Sequence, residues 1–129
     1  MRVCKLGQVR FVRFKELGLD FSVCRISGID GVDFARGFVF LAKTDEELSL
    51  VCESAYVPEG ALAVEPGWRA FRVEGVLDFG LVGIIAGITG ALAGAGISVF
   101  VVSTYNTDYV LVKSRDFDRA MELLNQNIK

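Results

Sequence analysis

The chain contains no histidine. That one absence removes most of the acid–base chemistry a side chain performs near neutral pH. Ser-His and Cys-His nucleophile pairs are excluded, as are His-ligated zinc and an imidazole pH switch. Three cysteines remain, Cys4, Cys24 and Cys52. Their number is odd, their spacings are long and no CxxC occurs, so neither a disulfide framework nor a thiolate metal site is expected. Cys24 and Cys52 fall inside apolar, strand-like runs, where a thiol acts as a small hydrophobe. Reduced thiols of this kind fit a cytoplasmic protein. No catalytic residue, metal or cofactor is therefore expected, and the chemistry that remains is binding. Asp108 is the only acid between Asp78 and Asp116 and follows the polar run Thr104-Tyr105-Asn106-Thr107. It either meets a cation through a charge-assisted hydrogen bond or caps the backbone of its own turn. The stretch Leu81-Val82-Gly83-Ile84 opens an apolar helical run. Its free backbone N–H groups and positive dipole end suit a carboxylate. Gly83, with no Cβ, admits close approach of either a ligand or a packed strand.

Those residues need elements to position them, and the composition is that of a folded domain. The 129 residues are 52% hydrophobic and 23% charged, which fits one globular unit or two very small ones. A chain of this length buries enough surface to fold without a metal or disulfide. Lys and Arg number 14 against 16 Asp and Glu, for a net charge of −2, which argues against nucleic acid as a partner. From Phe79 to Thr107 there is no charge at all, a run long enough to cross a bilayer. However, Asp78 and Asp108 flank it without a basic anchor. Gly96 also stops the helix short of a span, and Ile97 to Val102 is β-branched. A buried helix followed by a strand is expected, with no membrane contact. Gly83, Gly87, Gly90 and Gly94 fall on one stripe of that helix. Each costs about 1 kcal/mol relative to Ala, so the stripe is expected to serve close approach of another backbone, a sheet or a second subunit's helix.

Two segments of the chain resemble each other at an offset of 60. Val39-Phe40 matches Val99-Phe100, Thr44 matches Thr104, and Ser54 matches Ser114. Each segment is an apolar strand, a polar tetrad and a second strand. Each is preceded by another strand, Phe21 to Ile26 or Trp68 to Val73, in which Arg25 and Arg72 correspond, as do Gly28 and Gly75. The pattern reads as two β-α-β-β units. The first has a shortened helix, confined to Gly28 to Gly37. Val9 to Phe14 reads as an extra N-terminal strand, and Ala55 to Gly67, with two prolines, as the linker. The last helix carries the stripe Phe117, Ala120, Met121, Leu124 and Ile128 and is expected to be capped by Ser114 or Asp116.

The spacing Gly83, Ile88, Leu92, Gly96, Ile97 resembles the signature of ACT domains, the small βαββαβ ligand-binding modules of amino-acid metabolism. Gly80 stands where that signature has an acid, with Asp78 two residues earlier. Trp68 to Gly75, Leu77-Asp78-Phe79 and Ser103 to Val112 are similar to small bacterial tandem ACT-domain proteins, related to the ACT pairs of eukaryotic cytosolic arginine sensors. Val23-Cys24-Arg25, Thr44 to Ser49 and Val57 to Gly60 agree with them too. The resemblance implies an α+β fold of two ferredoxin-like units in tandem, residues 1–60 and 61–129, with antiparallel sheets and helices on one face. It implies a non-catalytic sensor that holds an amino acid between the units. The ligand would lie at the start of helix 80–95, on Leu81, Val82, Gly83 and Ile84, and at the following turn, on Thr104, Asn106, Thr107 and Asp108. The acid at Asp108 would meet the ligand's cationic group. A homodimer with an unnamed downstream protein partner is expected, and the alternative is a ligand-free structural or oligomerisation module.

Overall fold

The computed structural model describes residues 2–5, 11–74 and 83–126. In chain order these are β1 (Arg2–Lys5), β2 (Phe11–Arg25), β3 (Val39–Lys43), β4 (Leu48–Glu53), a 3-10 turn (Ser54–Tyr56), β5 (Ala63–Glu74), α1 (Ile84–Gly94), β6 (Val99–Ser103), β7 (Asp108–Lys113) and α2 (Ser114–Asn125). The chain forms two compact units, one of residues 1–18 and 69–129, the other of 19–68. Two strands are cut by this division, β2 after Gly18 and β5 after Trp68. The sequence pattern divides the chain at 60/61 instead, and the difference lies in how these two long strands are apportioned. Where an N-terminal strand, a break and a second strand were expected, β2 runs unbroken for 15 residues. The expected linker also gives up its end to β5, which carries Pro66 and a left-handed Gly67 (φ 84°) inside the strand. Such a glycine marks a bulged strand.

In the unit built on 69–129, the order is β5, α1, β6, β7, α2, and residues 11–18 supply the fourth core strand. The sheet reads β2-β5-β7-β6, with β1 on the outer side of β2. This is the ferredoxin-like arrangement, with the closing strand taken from the start of the chain. Both helices pack on one face. Ile84, Ile88 and Leu92, spaced at four residues, form the buried side of α1, and Phe117, Ala120, Met121 and Leu124 form that of α2. They meet Phe71, Val73, Val110 and Val112 of the sheet and Phe14, whose ring stands edge-on to Phe71 at 5.3 Å. Because strand side chains alternate, Arg72, Glu74 and Tyr109 face away from the helices.

The unit of residues 19–68 repeats the sheet order, β3-β4-β2-β5, but carries no α-helix. The abbreviation expected at Gly28 to Gly37 goes further than a short helix: turns replace it, held by Val32 N donating to Ile29 O and Arg36 N to Asp33 O. Arg36 ties them down, lying over the Tyr56 ring at 4.5 Å and bonding to Asp33. Cys24, Ile26, Leu50 and Cys52 form the core, covered by Val32, Val39, Leu48, Val57 and Ala61. The two hairpins superpose in register at the offset of 60. Val39 pairs with Cys52 as Val99 does with Val112, and Lys43 with Leu48 as Ser103 does with Asp108. The Thr44 and Thr104 amides close the turns alike, donating to Glu47 O at 2.9 Å and Thr107 O at 2.8 Å.

Candidate functional site

The hairpin turn 104–107 lies beside the end of β5. Thr107 Oγ1 donates to Val73 O at 2.5 Å, and Thr104 Oγ1 donates to Thr107 O at 3.0 Å. The threonines therefore fix the turn to itself and to the strand. A cavity of about 330 Å³ opens there, walled by Arg72, Val73, Glu74, Thr104, Asn106, Thr107 and Tyr109. That is the lower end of the usual range for small-molecule sites, roughly 300–1,000 Å³. Arg72 organises its charge. Nε donates to Glu74 Oε2 at 2.8 Å, Nη2 lies 2.7 Å from the same oxygen, and Nη1 donates to the Tyr109 hydroxyl at 3.2 Å. The bond to Glu74, then that to Tyr109, raises the Arg72 guanidinium above its ordinary value, so it is charged at any accessible pH.

Of the residues picked out from sequence, Thr104, Asn106 and Thr107 share this cavity. Asp108 begins β7 and accepts a hydrogen bond from Ser103 Oγ at 2.5 Å; it is not among the cavity walls. Gly83 is the N-cap of α1, exposed and left-handed at φ 88°. Ile84 sends its side chain into the core. Leu81 and Val82 lie outside the described residues, as do Asp78 and Ile128. Neither Ser114 nor Asp116 caps α2 through a side-chain hydrogen bond; Lys113 is the N-cap, and Asp116 in the first turn pairs with Arg119. The glycine stripe meets no sheet at Gly83, Gly90 or Gly94, where an added Cβ would find nothing within 4 Å. Arg72, Glu74 and Tyr109 were not singled out from sequence for a site. The signal available was an opposite-charge pair two residues apart on a strand, hence on one face. Cys24 and Cys52 are buried free thiols, and burial pushes Cys52 up to about 11.

Residues 63–126 match the ACT domain family, and the chain belongs to it through them. ACT domains are regulatory modules that bind amino acids. A 60-residue stretch is 40% identical to the human and bovine proteins named cytosolic arginine sensor for mTORC1 subunit 1, covering 46% of this chain. The match spans only 18% of the length of those relatives. The crystal structure of protein Atu0741 from Agrobacterium tumefaciens is 33% identical, with a TM-score of 0.80 over 90% of this chain and 88% of that one. The regulatory subunit of aspartate kinase from Thermus thermophilus, in its ligand-free form, shares the fold, at TM-score 0.64 and 11% identity, over 92% of this chain and 99% of its own. Among the described residues no helix is long and apolar enough to cross a membrane.

Proposed function

We propose that this protein is a non-catalytic sensor of a free amino acid, with the ligand seated at the turn 104–107 against the end of β5. The observation that carries the reading is the cavity itself. It brings Thr104, Asn106 and Thr107 together with a part-buried Arg72–Glu74 pair, in a chain of a regulatory amino-acid-binding family. The name of the arginine-sensing relatives supports amino-acid sensing as the use of such a site. Ligand occupancy then alters assembly or a contact with a protein partner in the cytoplasm.

Thermal unfolding against the twenty amino acids tests this. A ligand at 100 times its Kd adds about 2.7 kcal/mol, a rise of several degrees in Tm for a chain of this size. One amino acid, or one chemical group of them, is expected to give that rise. Asp108→Asn should retain it, since Asp108 is not among the residues that wall the cavity. No rise with any amino acid would leave the second reading, a structural or oligomerisation module. One observation favours self-association, with or without a ligand. The outer side of α1 is exposed at Ala86, Gly90, Ala93 and Gly94 and has no charged residue, so we propose a homodimer through this face.

A further inference from the structure

The way Arg72 and Glu74 are paired leaves specific atoms unused. A guanidinium has five N–H donors. Arg72 spends three, Nε–H and one hydrogen of Nη2 on Glu74 Oε2, and one of Nη1 on Tyr109. Each Nη keeps an N–H, and together these can meet a carboxylate. Both Arg72 contacts fall on Glu74 Oε2, so Oε1 is without a partner among the described residues. The side chains are 24% and 27% exposed, part-buried enough that these groups are only thinly hydrated, and both line one cavity.

We propose that the Arg72–Glu74 pair is a receptor for the zwitterionic end of a small, neutral amino acid. The ligand's α-carboxylate lies on the remaining Nη N–H groups of Arg72 and its α-ammonium on Glu74 Oε1. The inference rests on the amino-acid-sensing reading and names the ligand class within it. The pair is itself neutral, matching a ligand of no net charge. Among the described residues Glu74 is the one acid that lines the cavity, and with its Oε1 on the α-ammonium a basic side chain finds no further described carboxylate there. The hydroxyl oxygens of Thr104 and Thr107 keep acceptor capacity, and Asn106 offers an amide, which suits a short polar side chain.

The experiment titrates L-serine, L-serinamide, 3-hydroxypropionate, L-leucine and L-arginine into the wild-type chain by calorimetry, with Arg72→Gln and Glu74→Gln alongside. L-serine is expected to bind. Serinamide, lacking the carboxylate, and 3-hydroxypropionate, lacking the amine, should each bind at least tenfold more weakly, as should L-serine to either variant. The analogues test the pairing on unaltered protein, so the inference does not depend on how the variants fold. Binding of L-serine that neither variant weakens would overturn the Arg72–Glu74 receptor while leaving the sensor reading intact. Tighter binding of L-arginine or L-leucine than of L-serine would overturn the ligand class, again without touching that reading. Absence of binding by all three amino acids would overturn the receptor and its ligand class, and the sensor reading would fall with them only if none of the twenty raised Tm.

Discussion

The Cys52 thiol shows how a single side chain records its surroundings. Desolvation first, then the neighbouring Cys24, raises it from its ordinary 9.0 to about 11. An acid whose pKa is raised on folding keeps its proton longer in the folded state than in the unfolded one. Its contribution is therefore complete below pH 9 and is lost as the pH climbs through about 11, because the unfolded chain ionises first. Denaturant midpoints measured from pH 7 to 11 should fall over the upper part of that range. In Cys52→Ala the fall should be shallower, even though the variant starts from a lower midpoint for loss of packing. An unchanged slope would mean that the thiol is not shielded as the structure has it. The same buried, protonated state makes both thiols slow to react with a disulfide reagent in the native protein. This was readable from sequence, since both cysteines fall in apolar, strand-like runs. The cavity was only half readable. Polar turn residues such as Thr104, Asn106 and Thr107 announce themselves, whereas Arg72 and Tyr109 meet through strand pairing across 37 positions of sequence. No local pattern encodes that contact.

At the scale of elements, the end of α1 is set by backbone chemistry. Gly96 adopts φ 74°, its N–H donates to Ala93 O, and the N–H of Ile97 donates to Leu92 O at 2.9 Å. This is the Schellman closure, with the Leu92–Ile97 apolar contact that accompanies it buried in the core. Gly96→Ala should therefore cost about 1–2 kcal/mol, the price of a Cβ in left-handed backbone. Gly90 makes the contrast, being exposed mid-helix with open space where a Cβ would go. Gly90→Ala should stabilise the monomer by up to about 1 kcal/mol. Chemical denaturation of the two variants checks both signs, and a stabilising Gly96→Ala would contradict the cap. The stop at Gly96 and the strand after it were legible because glycine and β-branched residues carry local rules. The continuity of β2 was not. Val9 to Phe14 and Phe21 to Ile26 read as separate strands, yet residues 21–25 pair with β4 and Arg2–Lys5 with the start of the strand. Pairing partners held the backbone extended where local preference would have released it. Gly28 to Gly37 failed in the opposite sense, its spacing permitting a short helix where turns anchored by Arg36 win.

For the whole molecule, the offset of 60 was the most informative feature of the sequence, because both hairpins keep one register and one turn geometry. What the repeat could not convey is that residues 11–18 complete the sheet of the C-terminal unit, since strand order is a long-range property. The repeat also leaves the two units unequal: one carries α1 and α2, the other neither. That inequality bears on assembly. A helix with no charged residue is normally covered on all sides, but α1 buries only the Ile84, Ile88 and Leu92 side and leaves Ala86, Gly90 and Ala93 open. A second copy suits this face, because two identical uncharged surfaces meet without like-charge repulsion and a two-fold axis makes the contact self-complementary. Small residues let the helices approach closely. Light scattering on the purified chain should give twice the monomer mass at tens of micromolar, and Gly90→Glu should give the monomer mass, since a carboxylate on each copy would be forced together. The added side chain enters open space, so the variant should unfold as cooperatively as the wild type, and its loss of dimer would be a surface effect. A wild-type chain that is monomeric at those concentrations would overturn the homodimer proposed for the open face of α1.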